Sequence, residues 1–243
     1  MILNDYDLTC FDTELAGMGI VLSDDQKDRF IKYYELLTEW NQKINLTAIT
    51  AFDDVIRKHF LDSLYFLNLP GLSRSGKMID VGTGAGFPGI PIAIVCPDMR
   101  ITLLDSLRKR TDFLALCRDE LSLGNMEPVH TRAEDGARDP FHREKYDFAV
   151  SRAVASLPVL CEYCIPFVKK GGAFISYKSL KADQEVKDSE KAVHLLGGEI
   201  EHISHLKLAG TDEERNLIVI RKTGDTPKKY PRKSGMPSKK PII

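Results

Sequence analysis

Between Lys77 and Gly89 the chain passes from a short apolar run, Met78-Ile79-Asp80-Val81, into Gly82-Thr83-Gly84-Ala85-Gly86-Phe87-Pro88-Gly89. Glycines at alternate positions straight after a strand let the backbone turn sharply and come close to a ligand. The helix predicted to begin at Gly89 would offer its N-terminal amides to the same place. The next apolar run, Arg100 to Leu104, is closed by Asp105. It stands about 20 residues past the glycines, where doubly wound sheets carry an acid for the ribose hydroxyls. A dinucleotide fingerprint would need glycine where Phe87 stands, so the spacing is D-x-G-x-G-x-G rather than G-x-G-x-x-G. A tight strand–helix turn without a ligand would also use these glycines; the acid on the following strand favours the ligand.

The rest of the chain continues that alternation. Strands are predicted at Met126–Thr131, Tyr146–Val150 and Ala173–Tyr177, with helices at Arg108–Leu121, Leu157–Val168 and Asp183–Leu196. Strand alternating with helix implies a parallel sheet covered on both faces. Two strands in succession, His202–Leu208 and Asn216–Arg221, imply an antiparallel hairpin at one edge. Ahead of the sheet, residues 1–70 read as a helical cap. Ser23-Asp24-Asp25-Gln26 is a capping box, and Phe30, Tyr33, Leu37, Trp40 and Ile44 make one apolar stripe at helical spacing. A second stripe runs through Val55, Ile56, Phe60, Leu64 and Leu67 until Pro70-Gly71. The expected organisation is a cap over 1–70, a catalytic domain over 71–225 and a basic, proline-rich arm over 226–243.

Charge excludes less than it first suggests. Lys and Arg number 34 against 35 Asp and Glu, a net charge of −1 that argues only against a uniformly basic surface. The first 25 residues hold acids and no Lys or Arg, whereas Lys228, Lys229, Arg232, Lys233, Lys239 and Lys240 lie in an acid-free end. That end, rich in proline, is expected to be an extended arm able to meet phosphates. Five cysteines without a dense framework fit a reducing, cytoplasmic setting. Cys161-Glu-Tyr-Cys164 has metal-like spacing but lacks a second pair, so no metal is expected. No apolar run approaches the roughly 20 residues of a membrane span.

Read together, several motifs go beyond fold class: Trp40-Asn41-Gln42-Lys43-Ile44-Asn45-Leu46-Thr47, His59-Phe60-Leu61-Asp62-Ser63, the glycine run through Pro91, Asp105-Ser106-Leu107-Arg108-Lys109-Arg110, Arg132-Ala133-Glu134 and Ser151-Arg152-Ala153. With them the chain resembles the class I S-adenosylmethionine-dependent methyltransferases. More closely, from about Leu22 to the C-terminus, it resembles the bacterial 16S rRNA guanine-N7 methyltransferases of the RsmG (GidB) family. The resemblance implies a Rossmann-like α/β fold, a seven-stranded, mostly parallel sheet with an antiparallel last strand and an N-terminal helical cap. It implies S-adenosyl-L-methionine as cofactor, bound around Gly82, Gly84, Phe87, Asp105, Ala133, Glu134 and Arg152. Glu134 would hydrogen-bond near the adenine, and Arg152 would stand where substrate and methyl donor meet. The implied partner is 16S rRNA or the small ribosomal subunit, with Lys109, Lys178 and Arg215, and also Arg132, as cations for RNA. A monomer is expected.

The fourth-strand sequence Ser151-Arg152-Ala153 replaces the Asn/Asp-Pro-Pro-aromatic turn of amino-group methyltransferases, and no Pro-Cys pair offers a C5-pyrimidine nucleophile. A guanine N7 already carries an in-plane lone pair, so transfer to it would rest on positioning and electrostatics rather than on a base; no catalytic residue is assigned. His59 reads as structural, either a buried, satisfied histidine or a polar brace with Asp62, and a structural ion pair is the plain alternative for Arg152. Three rival functions remain. One is the same fold acting on a protein or small molecule, another a nicotinamide oxidoreductase, which Phe87 and the terminal hairpin oppose, and the third a cofactor-binding protein without catalysis.

Overall fold

The computed structural model describes residues 6–179 and 182–243. In it the apolar runs become the strands β1 (Gly76–Val81), β2 (Met99–Asp105), β3 (Met126–His130), β4 (Tyr146–Arg152), β5 (Val168–Lys178), β6 (Gly198–Lys207) and β7 (Glu214–Lys222) of one sheet. Their spatial order is β3-β2-β1-β4-β5-β7-β6. The first five pair in parallel, and β7 enters antiparallel between β5 and β6. Each central strand is apolar on both sides because both faces are covered. Met78 joins the core of one face while Ile79 and Val81 join that of the other; Ile175 and Phe174 divide in the same way.

The helices are α1 (Thr9–Gly17), α2 (Asp24–Ile44), α3 (Phe52–Val55), α4 (Asp62–Leu64), α5 (Gly89–Val95), α6 (Arg108–Glu120), α7 (Ala133–Gly136), α8 (Leu157–Cys164), α9 (Ala182–Leu195) and α10 (Met236–Lys239). The capping box forms as its residues predict: Ser23 Oγ accepts from the Gln26 amide, and Gln26 Oε1 accepts from the Ser23 amide. The N-terminal helices do not close a core of their own. Phe11, Phe30, Tyr33 and Phe60 belong to one cluster with Phe87, Ile90, Phe113 and Met78. The second predicted stripe is not one helix. Between α3 and α4 lies a π-helical turn, Ile56–Leu61, and Tyr65–Asn68 ends the segment as a 3-10 turn. Spacing alone does not distinguish these geometries, because Val55, Ile56, Phe60, Leu64 and Leu67 are buried all the same. A π turn of this kind is a frequent mark of a functional position.

The C-terminal segment departs from the expected extended arm. Thr226, Tyr230, Pro231 and Ile242 are buried, and a short helix, α10, forms. Arg232 forks onto Glu162 at 2.7 and 3.0 Å. Arg143 donates to the carbonyls of Thr226 and Tyr230 at 2.7 and 2.8 Å, and the Gly235 amide donates to Glu134 at 2.8 Å. Side chains from distant parts of the chain thus satisfy the segment's main-chain groups, an arrangement without periodicity. Lys228, Lys229, Lys233, Lys239 and Lys240 remain exposed.

A cleft at the carboxyl ends of the strands

In open α/β sheets ligands bind beyond the carboxyl ends of the strands, where strand order reverses. Here that point lies between β1 and β4, and above it opens a cleft of about 900 Å³. Gly82, Gly84, Phe87, Asp105, Arg152, Lys178 and Arg215 all line it. Gly82 and Gly84 have φ of +72° and +63°, conformations that an L side chain rarely adopts. A Cβ on Gly82 would also press on Val154 at 2.6 Å, whereas one on Gly84 would point into open space. Gly84 therefore leaves the approach that a ligand requires, and Gly82 makes the turn.

Asp105, 2 % exposed, accepts from the amides of Gly84 at 3.0 Å and Leu107 at 2.9 Å. It stitches the glycine loop to the start of α6, and Arg110 stands at 3.4 Å. A carboxylate has about four acceptor sites, and Gly84, Leu107 and Arg110 take three, so about one remains for a ribose hydroxyl. The loop is also held from the cap, since the Tyr33 hydroxyl donates to the Ala85 carbonyl at 2.7 Å. Below it lies Asp80, fully buried. Its Oδ2 accepts from Thr83 Oγ1 and the Gly89 amide, at 2.7 and 2.9 Å, and its Oδ1 has no partner among the described residues. Burial outweighs those two hydrogen bonds and pushes the carboxyl up to about 7. A group that holds its proton more tightly when folded stabilises the fold below its unfolded pKa, and that contribution is lost as pH rises through the folded value. Wild type is therefore expected to lose stability relative to Asp80→Asn between pH 3.8 and about 7. Urea midpoints measured across that window check this; a pH-independent difference would overturn it.

Arg152 ends β4 as a hub. Its Nη1 donates to Asp62 Oδ2 at 2.6 Å and stands 3.4 Å from the Lys58 carbonyl, its Nη2 lies 3.3 Å from His59 Nδ1, and the guanidinium covers the Phe87 ring at 5.0 Å. The structural ion pair and the cleft position are thus both real. Asp62, 3 % exposed, is shared with Arg215, whose Nε stands 3.2 Å from Oδ1. That contact is an ion pair whose geometry falls short of a hydrogen bond, so Oδ1 otherwise lacks a partner among the described residues. His59 stacks on Phe87 at 4.4 Å. Burial, then the Arg152 charge, pushes its imidazole down to about 3, so it is neutral. The residue after Arg152, Ala153, has φ +57° at the cleft mouth, strain of the kind that collects at functional sites.

The remaining expectations fare unevenly. Lys178 lines the cleft, but its ammonium is taken by Glu185 and the Ala155 carbonyl, both at 2.7 Å. Arg215 is likewise engaged with Asp62 and Glu213. Lys109 and Arg132 are exposed outside the cleft lining. Ala133 and Glu134 also lie outside it. Glu134 is 4 % exposed, and its carboxylate accepts from the Gly235 amide of the C-terminal segment. Thr47 and Arg110, which stand in quoted motifs without an assigned role, and Lys58, Tyr177 and Glu213, which stand in none, complete the walls. Tyr177 ties β5 to the cap through its hydroxyl, 2.8 Å from the Ser63 carbonyl. Alternation on β5 could have signalled it; nothing local signals Glu213. Among the described residues no cluster of three or more metal-ligating side chains occurs, and no helix is long and apolar enough to cross a membrane.

The seventh strand, entering antiparallel beside the fifth, separates this sheet from the all-parallel dinucleotide-binding kind and puts the protein in the Rossmann-like methyltransferase class. The crystal structure of M. jannaschii TYW2 in complex with AdoMet shares the fold, with a TM-score of 0.52 over 72 % of this chain and 79 % of that one, at 12 % identity. The family model for rRNA small subunit methyltransferase G (GidB) matches residues 26–218, and the chain belongs to that family. Relatives named ribosomal RNA small subunit methyltransferase G, from Acetivibrio thermocellus and Alkaliphilus oremlandii, are 52 % and 53 % identical. Each alignment covers 93 % of this chain, and 93 % and 95 % of the relative.

Proposed function

We propose that the protein transfers the methyl group of S-adenosyl-L-methionine to N7 of a guanine in 16S rRNA, in the decoding-region hairpin. The observation that carries this reading is family membership over most of the chain, joined to a cleft whose polar groups are committed to holding rather than to proton transfer. His59 is neutral with both ring nitrogens occupied, and the Asp62 carboxylate lies between two arginines. Asp80 lies outside the cleft lining. An acceptor that must first lose a proton is poorly served there, whereas a guanine N7 needs only alignment.

The cleft suits the cofactor on three counts: the open side of Gly84, the spare acceptor capacity of Asp105, and the Arg152 charge above Phe87. When bound, the cofactor supplies an electrophilic methyl on a sulfonium. Asp105 would orient the ribose, and Gly82 and Gly84 would admit the methionine part. Arg152 would present its fixed charge to a carboxylate or a phosphate of the ligands, the sulfonium being itself cationic. Any contact from Ala133-Glu134 to the adenine would come from their main chain. Among the described residues five cations (Lys58, Arg110, Arg152, Lys178, Arg215) face four carboxylates in the lining, so RNA phosphates would be met mainly outside it, by exposed lysines such as Lys109.

The test is to incubate the purified protein with labelled cofactor and small-subunit rRNA or subunits, then to cleave the RNA chemically at N7-methylguanine. Scission at one guanine is the expected result. Label in a protein or small molecule, insensitive to ribonuclease, would favour the rival methyltransferase reading and overturn this one.

A further inference from the structure

Thr47 follows α2 in a turn that its neighbours define. Asn45 caps the helix with φ 49°, and Asn41 Oδ1 accepts from the Thr47 amide at 2.8 Å. This fixes the side chain on the cap-side wall of the cleft, with Leu46 and Ile49. The proton positions around its hydroxyl follow from donor chemistry. A guanidinium has donors only, so His59 Nδ1, 3.3 Å from Arg152 Nη2, is the acceptor of that contact. A neutral imidazole accepting at Nδ1 carries its proton on Nε2, which lies 2.8 Å from Thr47 Oγ1 and therefore donates to it. The Ile49 amide donates to the same oxygen at 3.0 Å. A threonine hydroxyl has two lone pairs, and both are used. What it keeps for a ligand is its O–H.

We propose that Thr47 is a donor-only contact for O6 of the substrate guanine, set in that state by His59 and Arg152, and that it selects guanine over adenine. The proposal rests on the guanine-N7 reading above. Beside its N7 acceptor a guanine presents O6, another acceptor, whereas adenine presents the N6 amino donor. A free hydroxyl rotates to suit either. With both lone pairs occupied it pairs with O6 and meets the adenine amino group donor against donor. His59 and Arg152 are positioning residues for this contact: they act on the base through the hydroxyl they orient.

The experiment uses the full chain and 16S rRNA carrying guanine, 2-aminopurine (N7 kept, O6 absent) or adenine at the position mapped by chemical cleavage. Wild type is expected to methylate 2-aminopurine roughly ten- to hundredfold more slowly than guanine, the worth of one good base contact. Thr47→Ser should keep that ratio. Thr47→Val should lose the same factor on guanine and bring the ratio near one. His59→Phe keeps a ring on Phe87 but frees a lone pair on Thr47, so it should weaken discrimination against adenine. It also gives a readout should Thr47→Val fold poorly. Unchanged ratios in Thr47→Val, or unchanged adenine rejection in His59→Phe, would overturn the proposal. If the wild-type chain methylates no guanine N7, the functional reading falls and this proposal with it. Methylation at N7 with ratios indifferent to Thr47 removes only the role of the hydroxyl.

Discussion

Arg152→Gln should lower kcat/KM for methyl transfer by roughly 10²–10³-fold, the usual loss when a preorganised charge or donor is removed from a reaction centre. The protein should also become less stable. The Arg152 and Asp62 side chains are 13 % and 4 % exposed and 2.6 Å apart, and breaking a buried pair by removing one partner costs about 3–5 kcal/mol. Arg215 remains beside Asp62 and holds the loss toward the lower end. Arg152→Lys should recover little activity, because one ammonium cannot serve Asp62, His59 and the Phe87 face together. Steady-state kinetics beside a thermal melt separate the two effects. A variant that methylates at the wild-type rate would place the reaction centre elsewhere.

Ending the chain after Gly224 should unfold the protein or lower its melting temperature by more than ten degrees. The Glu162 side chain is 1 % exposed and is answered by Arg232, so truncation leaves a buried charge alone. Arg143 loses its acceptors in the segment and keeps the Ala137 carbonyl, and the sites of Tyr230 and Ile242 empty. The point change Arg232→Ala removes the guanidinium but keeps the residue's amide on Glu162, so it should cost toward the lower end of about 3–5 kcal/mol, or roughly 10 °C at about 2–4 °C per kcal/mol for a chain of this size. A tail that merely reached for RNA would leave the melt unchanged. The RNA contribution is to be read separately, by replacing the exposed Lys228, Lys229, Lys233, Lys239 and Lys240 with Gln. That change should spare the melt, weaken RNA binding and flatten its salt dependence; unchanged RNA binding would mean that these lysines meet no phosphate.

What could be read in advance follows the range of the forces involved. The strands and α2 were legible because burial of one or two faces imposes a period on neighbouring residues. The glycine loop and Asp105 were legible because close approach to a ligand demands particular residue types at short spacing. The π turn at Ile56–Leu61 was not, since the same apolar residues satisfy either geometry. The docking of 226–243 was hidden for another reason. Its partners, Glu134, Arg138, Arg143 and Glu162, lie about seventy or more residues away and bind mostly main-chain atoms, which leave no mark on the tail's own composition. The resemblance implies Glu134 near the adenine, and nothing around it announces Gly235 as its partner. Arg152 was found, but its ties to Asp62 and His59 came only with the fold.

The hydrogen bond from Tyr33 to the Ala85 carbonyl bears on tolerance. Reacting groups must be held to about half an ångström for transfer to proceed well, and a jointed machine of two lobes would have to recover that alignment on every closure. Here the wall proposed to meet the substrate and the loop proposed to meet the methyl donor are cut from one packed core. Their alignment is thus set when the chain folds, before either ligand arrives.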